Sequence, residues 1–323
     1  MVIIEKYTAE GLLDYKGCIE LMKETLSNLE EGKYGMPQRL ICTMPNTAAF
    51  GFMPAYVGDY FGAKVVTAYL PNAGTAYLPN AGTAYPSHIG YVMLYESLHC
   101  TVAAMIEAGS ITKIRTGCVS AAATDLLARK DSHKLSLIGA GEQARSHMEA
   151  IRLVRDIQEV TVYDIRKEAA ERLAVEFKES YGVTVRVCNS VEEAVGACDI
   201  ICTLCPTKEA YLTRSMVRPG THINAVGTFT PTTREVASDL IAASRVYSDY
   251  TPSLRKESGE YLIPLQEGLI TEKHIIGSLG ELLLKRKAGR ISDSDITVFD
   301  ALGLAVEDVA SARAIYEAYV RAE

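Results

Sequence analysis

Nowhere in the 323 residues does an apolar run approach the ~18 that would suggest a membrane-spanning helix. A basic excess is missing too. The formal net charge is -7, which excludes a broad cationic face for nucleic acid. The eight cysteines lack the spacing of a disulfide framework, and the six histidines form no ligand cluster by spacing, so no metal site is expected. The opening segment MVIIEKYTAEGLLDYKG carries early acids and no signal-peptide pattern. These absences read as a cytoplasmic protein with reduced thiols and no membrane partner. Cys202-Thr-Leu-Cys205 has CxxC spacing, but no second pair or neighbouring histidine supports a redox or metal role. DIICTLC reads instead as a buried strand, where cysteine packs as a small hydrophobe.

What is present is ordinary for a soluble protein: 48% apolar and 23% charged residues, in a chain long enough for two domains. Residues 8–30 carry apolar side chains at helical spacing and read as one amphipathic helix. RLICTM, AFGFMPAYV and AKVVTAYL read as strands, and YVMLYES with TVAAMIEAG as a hairpin. A helix is expected over 120–132, entered after Thr116-Gly117. From there strands and helices alternate through KLSLIG, EVTVYD, TVRVC, DIICTLC and THINAVG, the rhythm of a doubly wound parallel sheet. A last strand or turn, ITVFD, leads into a long helix whose apolar stripe is expected to return to the N-terminal domain.

The sharpest motif is Gly139-Ala-Gly141-Glu-Gln-Ala144, which follows a strand and opens a helix. Gly139 permits the tight turn, Gly141 lets backbone approach a pyrophosphate, and Ala144 lets helix pack close to sheet. The helix N-terminus offers N–H groups and a positive dipole end to phosphate. Asp164 ends the next strand, 25 residues after Gly139, where an acid binds a ribose 2′-hydroxyl. Asp164 favours NAD over NADP. Arg166 and Lys167, just beyond it, soften that preference and leave NADP open.

With these segments assembled, the chain resembles the ornithine cyclodeaminase/μ-crystallin family. The resemblance rests on FMPAYVGDYFGAKVV, PSHIG, KIRTGCVSAAATDLLAR, LIGAGEQARSHMEA, INAVGTFTPTTRE and TVFDALGLAVEDVA, and covers nearly the whole chain. It implies an α/β protein: a Rossmann dinucleotide-binding domain over 116–300, and a discontinuous α+β domain over 1–115 and 301–323 for substrate binding and homodimerisation. It implies an NAD(P)-dependent enzyme of α-amino or α-imino acids. By the same match, Arg39, Lys64 and Arg115 would hold the substrate carboxylate, and Lys64 would also donate a proton. Met53 and Ser87 would line the pocket. On the cofactor side, Thr116 would meet phosphate near a helix start, and Gln143 belongs to the glycine loop. Thr203, Val226 and Gly227 stand at the carboxyl edge of the sheet, where ligands lie.

One departure matters. Where ornithine cyclodeaminases carry an Asp, this chain has Phe229, and a phenyl ring neither accepts a proton nor pairs with ammonium. The expectation is therefore an amino-acid dehydrogenase or imine reductase. The alternatives are a cyclodeaminase using NAD catalytically, or a μ-crystallin-like nucleotide-dependent binder. Between Lys64 and Ser87 the word TAYLPNAG is written twice in tandem, then begun again. It reads as a duplication within one loop, either neutral or covering the pocket mouth.

Overall fold

The computed structural model describes residues 1–45, 48–69 and 88–322. Both TAYLPNAG copies fall largely, and Ser87 wholly, outside the described residues. The chain forms two compact units, one of residues 1–115 with 304–323, the other of 116–303.

The first unit begins with strand β1 (Val2–Ile4) and helices α1 (Lys6–Leu12) and α2 (Tyr15–Glu30). The single helix expected over 8–30 is therefore two. Asp14 breaks it, because its side chain accepts the Gly17 N–H at 2.8 Å and caps α2. Strands β2 (Tyr34–Gly35), β3 (Leu40–Thr43), β4 (Ala49–Val57), β5 (Tyr60–Ala68), β6 (His88–Glu96) and β7 (Val102–Glu107) follow. The sheet order is β1-β7-β6-β5-β4-β2, with β3 also on β4; only the β1–β7 pair is parallel.

Alternation on β4 sends Met53, Ala55 and Val57 inward and Phe50, Phe52 and Tyr56 outward. The C-terminal helix, Ala305–Ala322, packs on β4, β5 and α2, with Val309 and Ile315 fully buried. Met22 and Leu26 of α2 are equally buried. The return of the last helix to this unit supplies the cover that a half-apolar sheet requires.

Helix α3 runs Ala108–Leu127, so it begins well before Thr116. This corrects the expected helix start. The Glu107 carboxylate accepts the Gly109 and Ser110 N–H groups at 2.6 and 2.7 Å, starting the helix as β7 ends. Buried Ile111, Ile114 and Cys118 then carry helical spacing past residue 116. Gly117 is a point of close approach rather than a start: a Cβ there would lie 2.4 Å from Ser146 Oγ.

The second unit alternates strands and helices: β8 (Lys134–Ile138), α4 (Glu142–Ile151), β9 (Glu159–Tyr163), α5 (Lys167–Tyr181), β10 (Val185–Val187), α6 (Val191–Val195), β11 (Ile200–Thr203) and β12 (His222–Ala225). After these come α7 (Ser238–Ala242), β13 (Arg245–Ser248), α8 (Thr251–Glu257), α9 (Gly259–Gln266), β14 (Ile275–Ser278), α10 (Leu279–Leu283) and β15 (Thr297–Asp300). All the ladders are parallel, in the order β10-β9-β8-β11-β12-β15-β13-β14. Near-continuous apolar strands such as β11 are what burial on both faces demands. Cys202, on β11, is fully buried, and burial pushes its thiol up to about 12, so it packs as a neutral side chain.

Candidate active site

In the first unit, chemistry gathers on the inner face of the sheet. Lys64 lies on β5, opposite Met53 on β4 and Val92 on β6, both buried. Its own side chain is 6% exposed, which demands a partner. The C-terminal helix supplies one: Asp308 Oδ2 sits 2.7 Å from Lys64 Nζ. The other oxygen of Asp308 accepts Arg115 Nε at 3.1 Å, and Glu307 Oε2 accepts Arg115 Nη1 at 2.9 Å. Both carboxylates are fully buried. Thr112, one helical turn before Arg115 on α3, places its hydroxyl 3.5 Å from Lys64 Nζ.

Arg39, half-buried just before β3, adds a further positive charge acting on Lys64. Burial lowers the Lys64 pKa from its ordinary value. Asp308 raises it, and Arg115 and Arg39 lower it again. His88 stands at the start of β6. Desolvation and then the Lys64 charge lower its pKa, favouring neutral imidazole. A buried ammonium beside a guanidinium, held by one shared carboxylate, can bind a small anion and hand over a proton.

In the second unit, the glycine loop follows β8. Gly139 has φ +108°, a left-handed conformation that side chains resist. Gly141 caps α4 without a side-chain hydrogen bond, and a Cβ there would meet nothing within 4 Å. Ala144 is fully buried against the sheet. Gln143, in the first turn, is half-buried, and its carbonyl takes a 2.7 Å bond from His147 Nδ1. Asp164, directly after β9, accepts the Ala140 N–H on Oδ2 and the Arg166 N–H on Oδ1, each at 2.8 Å. The Arg166 guanidinium is half-exposed, its Nε 3.7 Å from the same carboxylate. A carboxylate has about four acceptor sites, so Asp164 keeps capacity for ribose hydroxyls. The open space before Gly141 and the acid at the next strand end fit a dinucleotide.

The carboxyl edge of the sheet is organised by a residue the sequence reading passed over. Glu235 is fully buried and accepts from the Thr203 hydroxyl, the Gly227 and Cys205 N–H groups and the Tyr211 hydroxyl, at 2.6–2.7 Å. It ties the ends of β11 and β12 together. Val226 N–H bonds Thr203 O at 3.1 Å across the same ends. Burial raises the Glu235 pKa, and those donors pull it back. Glu260, behind it, is pushed up to about 7 by burial and accepts the Glu235 N–H at 2.7 Å.

The first unit thus brings together Lys64, Arg115, Met53 and Arg39. The second brings together Gly139, Gly141, Gln143, Ala144, Asp164 and Arg166 at one strand end, and Thr203, Val226 and Gly227 at another. Phe229 follows β12 and is 44% exposed. Thr116 is buried within α3, so it has no helix N-terminus to offer phosphate. Asp308, Glu307 and Glu235 were the omissions. For Glu307 and Asp308 the signal is an acidic pair inside an otherwise apolar run, GLAVEDVA, which argues for a buried partner; Glu235, in the largely polar TTREVAS, carries no such signal.

A model of the ornithine cyclodeaminase/mu-crystallin family matches residues 2–323. The ketimine reductase mu-crystallin of Mus musculus is 34% identical, covering 92% of this chain and 90% of its own. The Thermococcus litoralis Delta(1)-pyrroline-2-carboxylate reductase, solved in complex with NADH and L-proline, superposes with a TM-score of 0.94. It is 32% identical and covers 100% of this chain and 98% of its own. An archaeal alanine dehydrogenase dimer with bound NAD superposes at 0.91, with 30% identity and 99% and 96% coverage.

Proposed function

Given that the chain belongs to the ornithine cyclodeaminase/mu-crystallin family, we propose that it is an NAD(P)H-dependent oxidoreductase that reduces small α-imino acids, cyclic ketimine carboxylates foremost, to the α-amino acids. The observation that carries this reading is the buried Lys64 ammonium beside Arg115. NAD is the cofactor, in keeping with the NADH- and NAD-bound relatives. Gly139, Gly141 and the start of α4 would hold its pyrophosphate, and Asp164 its adenine-side ribose. Thr203, Val226 and Gly227, braced by Glu235, would border the nicotinamide. When bound, the reduced nicotinamide supplies a hydride to the imine carbon.

Arg115 and Arg39 pair with the substrate carboxylate and fix its orientation. Lys64 donates its proton to the imine nitrogen, so that nitrogen gains hydrogen as carbon is reduced. Met53 supplies apolar wall beside Lys64. Phe229 stands where proton-accepting chemistry would need a carboxylate, which favours reduction over cyclodeamination. The proposal includes a homodimer through the first unit. Phe50, Phe52 and Tyr56 on β4, with Leu40 and Ile41 on β3, leave apolar side chains 37–64% exposed. The archaeal relative is a dimer.

The test is direct. Purified protein with NADH is given pyrroline- and piperideine-type ketimine carboxylates, and pyruvate with ammonia. Loss of NADH absorbance with appearance of the amino acid is the expected result. A protein that binds NADH but oxidises none with any of these would refute the reading.

A further inference from the structure

We infer that Asp308 is the positioning residue of this reaction: its two carboxylate oxygens hold the Lys64 ammonium and the Arg115 guanidinium in one arrangement and keep Lys64 in its proton-bearing form. The inference rests on the reading of Lys64 as proton donor given above.

Three observations carry it. The first is geometry: Oδ2 lies 2.7 Å from Lys64 Nζ and Oδ1 accepts from Arg115 Nε at 3.1 Å, so one carboxylate sets the spacing of donor and clamp. The second is how the neighbouring acids are used. Glu307 pairs with Arg115 but also accepts the Leu304 N–H at 3.1 Å, a bond that starts the C-terminal helix. The Asp308 carboxylate has no such backbone duty; among the described residues its partners are those two cations. The third is energetic. A fully buried ion pair seldom stabilises a fold more than apolar side chains of similar size would. A helix face packed on β4 and β5 would take such side chains readily, so stability alone does not account for an acid at 308.

The charges around Lys64 make the protonation argument specific. Arg115 faces it from α3, Arg39 from ahead of β3, and His88 from the start of β6. Thr112 contributes a neutral hydroxyl from α3. Glu307, on the C-terminal helix, is engaged with Arg115. Asp308 is the acid in direct contact with the ammonium. Burial, then the charges of Arg115 and Arg39, push the proton off Lys64, and Asp308 opposes them. Without Asp308 the amine would lose its proton at a lower pH, while Arg115 would lose the bond that sets its spacing from Lys64.

The experiment uses the full chain with Asp308→Asn, and Asp308→Ser as a second uncharged variant should the amide not fold. Asp308→Glu keeps the charge. Turnover of a cyclic ketimine carboxylate is followed from about pH 6 to about pH 9 at saturating NADH. In parallel, the Lys64 amine is titrated by NMR on lysine labelled at the ε-carbon, assigned with Lys64→Arg. In the uncharged variant the alkaline fall in kcat and the amine titration should both move acidward by about one unit or more. The loss of turnover would then be about tenfold greater at the alkaline end than at the acid end. Asp308→Glu should keep both near the wild-type position, and NADH affinity should stay within about twofold throughout. An unmoved amine titration overturns the inference, as does a loss of turnover uniform in pH. If the wild type reduces no imine at all, the proposed reaction fails, and the amine titration alone then decides the role of Asp308.

Discussion

Replacing Lys64 by Met tests the site at its centre. The thioether matches the stem of lysine in length and would sit between Met53 and Val92, so packing is largely retained. What is lost is an ammonium 2.7 Å from a carboxylate with no exposure. Breaking a buried pair by removing one partner costs about 3–5 kcal/mol. Asp308 keeps Arg115 at 3.1 Å, which places the cost at the low end, about 3 kcal/mol. For a unit of this size, that corresponds to a fall in Tm of roughly 10 °C. Adding Asp308→Asn removes the excess negative charge and leaves Arg115 paired with Glu307, so the double variant should melt above the single one. Turnover should fall about 10²–10⁴-fold, the usual contribution of a positioned proton donor. Melting curves, kcat at saturating imine and NADH fluorescence titration read the three effects separately. Turnover within a few-fold of wild type would refute the assigned role of Lys64. NADH affinity falling in parallel with turnover would refute it equally.

Gly141→Val should fold normally, because a Cβ at that position meets nothing within 4 Å, yet weaken NADH binding at least about tenfold by filling the space for the pyrophosphate. Asp164→Ser should raise NADPH affinity relative to NADH by about tenfold, read by parallel titrations with the two nucleotides. Glu260, pushed up to about 7 by burial, holds a proton in the folded protein that the unfolded chain releases near the ordinary value of 4.5. Its contribution to stability is therefore greatest below about pH 4.5 and declines as pH rises toward about 7. Glu260→Gln should accordingly gain stability relative to wild type at about pH 8 and lose that advantage at about pH 4, as melts at the two values would show. Phe50→Lys, on the outer face of β4, should convert a dimer to monomers in light scattering without changing the melting of the second unit.

How far the sequence disclosed these features depends on where their causes lie along the chain. The glycine loop was legible because strand, turn and helix start are contiguous, and Asp164 because the spacing of one βα unit fixes it. Strands β4 and β5 were legible because alternation is a local property. The break at Asp14 was missed because the apolar spacing runs across it and only a capping bond of 2.8 Å marks the interruption. The start of α3 was misplaced for a related reason: Thr116-Gly117 looked like punctuation, while the operative cap, Glu107, sat inside what read as a strand.

The buried acids were the least legible, and the reason is instructive. Sequence patterns report burial through apolar residues and assign a charged residue to solvent by default. That default fails when a partner neutralises the charge, and the partners of Asp308 are distant in the chain: Arg115 lies 193 residues away and Lys64 farther still. Nothing near Asp308 in the chain announces them. What the sequence does contain is an inconsistency, an acidic pair set in GLAVEDVASA where the surrounding residues demand burial. Such local conflicts concentrate at functional sites, because a site needs charges that a core would reject. Glu235, in TTREVAS, lacks even that signal: the residues just before it are polar, and only the folded chain shows its buried carboxylate bracing both strand ends assigned to the nicotinamide. In this chain, therefore, the acidic pair at 307–308 announces a buried cationic partner more directly than Lys64 or Arg115 announces itself, since a lone arginine or lysine is ordinarily solvated while a fully buried carboxylate requires a partner.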